Sequence, residues 1–266
     1  MTIAQKISVP TFRSSSILAL KLANTWDLLN LLRARTCPRS ERCGSGKEFP
    51  SCLEGVLSAG GFAFVLLPED IIALKKRSKE ETFDYLFFWK NEPLVDGKLN
   101  KGCLSQWYPA KFNIGDQEFP TAEHFMMHSK ATLFEDNEIA EEILRTESCK
   151  EVKALGRKVR DFDEELWREH RFAIVLRANL AKFSQNDALK DFIFSTGETI
   201  IVEASPTDRI WGIGMAEEQA LKTSPQDWQG LNLLGFALMR TRSLLESGLE
   251  YVSEFLNMGP NNQPLS

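Results

Sequence analysis

Apolar residues recur at helical spacing over most of the second half of the chain. Repeats at i, i+3, i+4 and i+7 are typical of helices that bury one face. They predict helices at residues 122–133, 137–147, 149–160, 163–183, 187–194 and 232–246. Thr121 as N-cap and Glu123 in the first turn mark the start of the first of these helices.

Two short apolar runs have the composition of buried strands instead. Phe83–Trp89 is rich in aromatic residues, and Ile200–Val202 is β-branched and ends at Ala-Ser-Pro. Strands are few and do not alternate with helices, as they would in a doubly wound parallel sheet. The sequence therefore predicts an α+β fold that is mostly helical.

The first 80 residues differ in composition from the rest of the chain, and we interpret them as an accessory or partly disordered N-terminal extension. Residues 249–266 are interpreted as a C-terminal tail. Within the extension, the patterns predict a helix at Ile17–Leu32, a loop at Arg33–Cys52, a strand at Gly61–Leu67 and a charged helix at Ile71–Lys79. No function is predicted for this segment.

Charge and cysteine content narrow the class of protein. The net charge is −5, although residues 1–50 carry eight Lys and Arg against three Asp and Glu, so the chain as a whole has no general attraction to nucleic acid or to anionic membranes. Five cysteines without a CxxC pair indicate free thiols in a reducing compartment. We expect a cytoplasmic protein. An organelle transit peptide is the alternative interpretation of the first 26 residues, which contain no acid.

The helix that begins after Thr121 carries possible chemistry. Glu123 and Lys130 are seven residues apart, so they lie on nearly the same stripe, about 10.5 Å apart along the axis. One helix face could present an acid and an amine to the same cavity. Alternatively, Glu123 complements the helix N-terminus and Lys130 extends into solvent.

Other patterns are weaker. His124 and His128 have the i, i+4 spacing of a zinc pair but lack the His-Glu-x-x-His signature, and we predict no metal and no cofactor. A basic stripe, which could hold phosphate or simply be solvated, is formed by Lys150, Lys153, Arg157 and Arg160.

The segment after the second predicted strand combines acids, an aromatic ring and glycines. Glu203, Asp208 and Trp211 are followed by Gly212 and Gly214. This composition suits a pocket for a flat, polar ligand. The alternative is a solvated strand end with a tryptophan that covers the core.

Taken together, these blocks resemble one family, the NADAR family of YbiA-like N-glycosidases. The resemblance covers about residues 83–245. It is carried by Leu104-Ser-Gln-Trp-Tyr-Pro109, Phe119-Pro-Thr-Ala-Glu-His124, Lys182-Phe-Ser-Gln-Asn186, Val202-Glu-Ala-Ser-Pro206 through Trp211-Gly-Ile-Gly214, and Gly230-Leu-Asn232. One departure is Gln106, where the family usually has Asn, and this departure bears on substrate selectivity.

The resemblance implies one NADAR domain at about residues 81–248, which hydrolyses the bond between a ribose C1 and a base nitrogen. The implied substrate is ADP-ribosylated guanine, in nucleic acid or nucleotides. A phosphorylated ribosylamino-pyrimidine of riboflavin synthesis is the alternative. Both contain a flat base, a ribose and phosphate.

The resemblance also implies roles for particular residues. Glu123 would handle protons, Lys130 would attack C1 and form a transient imine, and Asp208 would position ribose hydroxyls or water together with Glu203. The substrate-binding residues are expected to be Trp107, Tyr108, His124, Arg157, Glu203, Trp211, Gly212, Gly214 and Asn232. A non-catalytic reader of ADP-ribose and a purely structural module are the competing interpretations.

Overall fold

A computed structural model describes residues 67–91 and 98–248. The predictions for Ile17–Leu32, Arg33–Cys52, residues 61–66 and the C-terminal tail lie outside these ranges, as do three of the five cysteines. Cys103 and Cys149 are within them, and both are free thiols.

Helices account for about half of the described residues and for most of the regular secondary structure, as the apolar periodicity predicted. They are α1 (Ile71–Arg77), α2 (Ala122–Leu133), α3 (Asn137–Arg145), α4 (Cys149–Gly156), α5 (Glu164–Ser184), α6 (Asp187–Ser195), α7 (Glu217–Ala220) and α8 (Leu233–Glu246). The four helices α2 to α5 all begin at a side chain that accepts a hydrogen bond from the first turn, namely Thr121, Asp136, Ser148 and Asp163.

Helix α4 is shorter than predicted. It ends at Gly156, four residues before the predicted end at residue 160. The reason lies in a contact of the following loop, where both the backbone N–H and the guanidinium of Arg160 donate to the buried carboxylate of Asp136. This pairing turns the chain away from the helix axis.

The strands form two small sheets. The two predicted strands, β1 (Tyr85–Phe88) and β4 (Ile200–Glu203), pair in parallel with Phe88 opposite Glu203. A hairpin that the sequence did not predict joins β2 (Phe112–Ile114) to β3 (Gln117–Phe119). Its three-residue strands are too short to give a recognisable alternation.

The core lies around α5, which packs against α2 on one side and α8 on the other. Helix α8 also packs against β4. These contacts place two ends side by side: the N-terminus of α2, which carries Glu123, and the carboxyl end of β4, which carries Glu203. The mostly helical α+β fold is confirmed, and this junction is the frame of the site.

Candidate active site

Two carboxyl groups meet at this junction. Glu123 is 2% exposed, whereas Glu203 is partly exposed and has its Oε2 atom buried. Neither Glu123 Oε1 nor Glu203 Oε2 has a hydrogen-bond partner in the described structure. An unpartnered buried oxygen is costly unless a ligand or a proton satisfies it. Both groups are therefore candidates for contact with substrate.

The surroundings of both carboxyls favour the protonated form. Burial raises the pKa of Glu123 to about 7, and the charge of Asp208 adds to this, while Lys153 and a hydrogen bond from the Trp107 side chain oppose it. Burial likewise raises the pKa of Glu203 to about 8, again with Asp208 as a contributor. The charge of Glu123 also raises the pKa of Glu203, and because such an interaction is mutual, the two titrate as a coupled pair. Acids with a pKa near neutrality are suited to general acid–base catalysis.

Asp208 is fixed by the turn in which it lies. Its Oδ1 accepts hydrogen bonds from the backbone N–H groups of Ile210 and Trp211, both at 2.8 Å, and its own N–H donates to Ser205 Oγ at 3.2 Å. This carboxylate is thus the structural centre of the loop after β4. Its charge reaches both buried acids from a defined position.

Cationic side chains face the acids from α4, from the loop after it and from α5. The ammonium of Lys153 lowers the pKa of both Glu123 and Glu203, and Arg157 lowers that of Glu123. Arg171, which is 7% exposed, interacts with Asp208 and lies 3.9 Å from Glu164. Positive charge near an acid pair suits a phosphorylated ligand.

Aromatic side chains form another part of the surroundings. Trp107 is partly exposed, hydrogen-bonds Glu123 and has Lys153 Nζ 5.9 Å from its ring centre. Tyr108 and Trp211 are also partly buried and pack against the hydrophobic core. Of these three predicted stacking residues, Trp107 is in direct contact with the acid pair.

Two glycines allow the tight turn after β4. A Cβ at Gly212 would lie 2.7 Å from the Glu203 carbonyl oxygen, and Gly214 has a φ of +65°. Neither geometry suits a residue with a side chain. Both glycines therefore shape the loop that carries Asp208.

The predicted nucleophile, Lys130, is not among the groups whose charge shifts the pKa of either acid. Its Nζ donates to the Gly156 carbonyl at 2.8 Å and sits 4.0 Å from the Phe162 ring centre. Burial lowers its pKa, which favours the neutral amine, although the charge of Glu164 opposes this effect. The lysine whose charge acts on both Glu123 and Glu203 is Lys153.

The polar groups of two predicted substrate-binding residues are engaged within the protein. The ring nitrogens of His124 contact Thr121 Oγ1 at 2.7 Å and the Thr146 carbonyl at 2.9 Å. Asn232, fully buried, accepts from the Glu203 N–H and donates to the Ile201 carbonyl, both at 2.9 Å. In this structure the polar atoms of both side chains are therefore bonded to the protein itself.

Three contributors to the site were not assigned from the sequence. Lys153 could be seen only as one member of a basic stripe, because helical spacing does not reveal which face meets an acid. Arg171 is an arginine inside a long helix and gives no signal by itself. Asn179 donates from Nδ2 to Gln106 Oε1 at 3.1 Å, a pairing across 73 residues that no local pattern predicts.

Within the described residues, no group of three or more His, Cys, Asp or Glu side chains is arranged to hold a metal ion. None of the described helices is both long and apolar enough to cross a membrane.

Comparison with known proteins defines the class. The NADAR domain family matches residues 87–246, so the chain belongs to this family. N-glycosidase R617 of Acanthamoeba polyphaga mimivirus is 41% identical over 170 residues, which cover 61% of this chain and 96% of that protein. N-glycosidase Npun_R5314 of Nostoc punctiforme is 31% identical, covering 53% of this chain and 83% of that protein.

Two further similarities bear on fold and on substrate. The NMR structure of Escherichia coli YbiA matches with a TM-score of 0.50 and 22% identity, covering 63% of this chain and 89% of that one, which supports the fold. Riboflavin biosynthesis protein VVA0006 of Vibrio vulnificus is 28% identical over 57% of this chain, but the match spans only 38% of that protein. The chain is thus an enzyme of the class that hydrolyses N-glycosyl bonds.

Proposed function

We propose that the protein removes ADP-ribose from ADP-ribosylated guanine by cleaving the bond between the ribose C1 and the base nitrogen. The observation that carries the proposal is the coupled pair of buried carboxyls, Glu123 and Glu203, each with one unpartnered oxygen. Cleavage of this bond leaves positive charge on the ribose and negative charge on the base. An ionised carboxylate stabilises the positive charge on the ribose, and a protonated carboxyl supplies a proton to the departing base.

In the proposed reaction, the neutral amine of Lys130 attacks C1. The C1–N bond breaks, its electron pair leaves with the base, and Glu123 supplies the base with a proton. The new ribosylamine returns its extra proton to Glu123, which then protonates the ring oxygen as the C1–O bond opens to a protonated imine. Water hydrolyses this imine to the sugar aldehyde and the free amine, and the released proton returns to Glu123.

For this reaction Lys130 must release the Gly156 carbonyl and turn toward the acids. A position that is half-buried and has a lowered pKa is what such an amine requires. Lys153 is already beside the acids, and its role in the proposal is electrostatic: it keeps one carboxyl ionised and meets substrate phosphate. The proposal therefore predicts that a trapping experiment gives a covalent adduct on Lys130 and none on Lys153.

The choice of ADP-ribose rests on the cationic side of the site. Lys153, Arg157 and Arg171 offer three positive charges around the acid cluster, which matches a diphosphate better than a single phosphate. A ribosylamino-pyrimidine phosphate is the second candidate, favoured by the similarity to the Vibrio riboflavin biosynthesis protein.

Product analysis by mass spectrometry tests the substrate. Purified protein is incubated with ADP-ribosyl-guanosine and, separately, with the phosphorylated ribosylamino-pyrimidine. We expect guanine-containing product from the first, and a loss of about 100-fold or more in rate for Glu123→Gln. Release from the pyrimidine substrate alone would select the second candidate. Tight ADP-ribose binding without any base release would identify a non-catalytic reader of ADP-ribose. If the protein neither released a base nor bound ADP-ribose, the glycosidase proposal would be wrong.

Borohydride trapping tests the nucleophile. Reduction during turnover should leave a stable adduct on the peptide that contains Lys130, and Lys130→Arg should abolish it. Lys153→Arg is the matched control, and this variant should still give the adduct on Lys130. An adduct on Lys153, or no adduct during active turnover, would contradict the role given to Lys130.

A further inference from the structure

Lys182 is the most deeply buried lysine among the described residues, and the proposed reaction makes no use of it. It is 0% exposed, and its Nζ donates to the carbonyl oxygens of Cys103 at 2.6 Å and Ser105 at 2.9 Å. No carboxylate pairs with it in the described structure. A buried cation without a counter-ion is expensive, so its place in the fold requires an explanation.

The two carbonyls belong to the segment that supplies the aromatic part of the site. Directly after Ser105, the carbonyl of Gln106 accepts from the Glu123 N–H at 3.0 Å, and the Trp107 side chain hydrogen-bonds the Glu123 carboxyl. The ring of Tyr108 lies 5.6 Å from Lys182 Nζ. Lys182 therefore holds the backbone immediately before the residues that contact the proposed acid.

The end of α5 continues this attachment along the same segment. Gln185 exchanges two 2.8 Å hydrogen bonds with the backbone N–H and carbonyl of Asn113, and Asn186 donates to the Lys111 carbonyl at 3.0 Å. Three residues from one helix end thus bind the backbone of residues 103–113. Lys182 holds the end nearest Glu123, whereas Gln185 holds the hairpin strand at the far end.

We propose that Lys182 is a positioning residue of the active site, which fixes Gln106 and Trp107 against Glu123 by binding the carbonyls of Cys103 and Ser105. Its role rests on the proposed function of Glu123 but is tested separately from it. Burial lowers the pKa of Lys182 to about 7. The neutral amine keeps two N–H donors, enough for two carbonyls, so the attachment does not require the charge.

The test compares Lys182→Met, which has similar length and no donor, with Lys182→Gln, which keeps a donor. Gln185→Ala is the control, since it releases the same segment at the distant end. Trp107 is observed directly by 19F NMR of protein labelled with 5-fluorotryptophan, with Trp107→Phe to assign its signal. This readout needs neither substrate nor activity, so a wrong choice of substrate does not affect it.

The expected result is a shifted or broadened Trp107 signal in Lys182→Met, partial recovery in Lys182→Gln, and a wild-type signal in Gln185→Ala. On the substrate that proves active, kcat/KM should fall about 10- to 100-fold in Lys182→Met, since small misplacements of this kind have such effects. If Lys182→Met does not fold, the proposal is tested by Lys182→Gln, whose Trp107 signal should still differ from that of wild type. A lowered melting temperature with an unchanged Trp107 signal would overturn the proposal and leave Lys182 a purely structural residue.

Discussion

At the scale of single residues, the site depends on where charge is placed relative to burial. Glu123 and Glu203 lie where water cannot stabilise their ionised forms, and the carboxylate of Asp208 adds repulsion. Lys153 acts in the opposite direction on both acids. The balance keeps the pKa values of both acids close to neutral pH, where one carboxyl can be protonated while the other is ionised.

Lys153→Met is expected to move the whole pH profile of kcat/KM to higher pH. Lys153 lowers the pKa of both acids, so its removal raises both. Lys150→Met is the matched control: Lys150 is exposed on the same helix and is not among the groups that shift either acid. Superimposable profiles for wild type and Lys153→Met would contradict this assignment.

At the scale of elements, the sequence pattern was enough to predict the two paired strands and every described helix except the short α7. Their neighbours in space were not predictable from it. The charge interaction between Glu123 and Lys153 depends on how α4 packs beside α2, and the parallel pairing of β1 with β4 joins residues more than a hundred positions apart. The family resemblance named Glu123 and Glu203, but only the packing shows that both are buried at one junction.

Asn232 also shows that packing contacts are not predictable from sequence patterns. It was expected to bind substrate, whereas the structure places it between β4 and α8, with its amide bonded to the backbone of Ile201 and Glu203. Asn232→Ala would leave two buried backbone groups without partners. Losses of about 1–3 kcal/mol per group predict a decrease of about 2–6 kcal/mol in the free energy of unfolding.

Urea denaturation measures this decrease, and the KM of the variant provides the complementary readout. Asn186→Ala is the control, because this amide also bonds to backbone carbonyls but lies partly exposed at the end of α5. Its loss should be smaller. Unchanged stability in Asn232→Ala, together with a raised KM, would instead identify Asn232 as a substrate ligand.

At the scale of the whole molecule, the folded core extends beyond the residues that the family matches. Helix α1 precedes residue 87, yet Leu74 is fully buried, and Lys75 Nζ donates to the Trp228 carbonyl at 2.7 Å. Leu74→Ala should therefore lower the free energy of unfolding by about 2–5 kcal/mol. Ile72→Ala, on the same helix but 76% exposed, should change it by less than about 0.5 kcal/mol. Equal, small effects in denaturant titrations would show that α1 does not contribute to the core.

The acid pair should also affect the stability of the whole protein as a function of pH. The pKa values of Glu123 and Glu203 are about 7 and about 8 in the folded state, against about 4.3 for an unperturbed glutamate. A raised folded-state pKa gives stability that is complete below the unfolded value and is lost as the pH rises through the folded one. The free energy of unfolding should therefore fall between pH 5 and pH 8, by an amount on the order of 2 kcal/mol per carboxyl.

The comparison that isolates this effect is between wild type and Glu203→Gln. Burial lowers the pKa of His124, His128 and Lys182, so these groups favour folding as the pH rises and partly mask the trend in wild type. They are present in both proteins, and their contribution cancels in the difference. Glu203→Gln should gain stability relative to wild type from pH 5 to pH 8, while Glu147→Gln, an exposed control, should follow wild type throughout. If the stability of Glu203→Gln and of wild type, measured by melting at each pH, changed with pH in the same way, Glu203 would not be held protonated. The acid–base pair proposed for the reaction would then lose its physical basis.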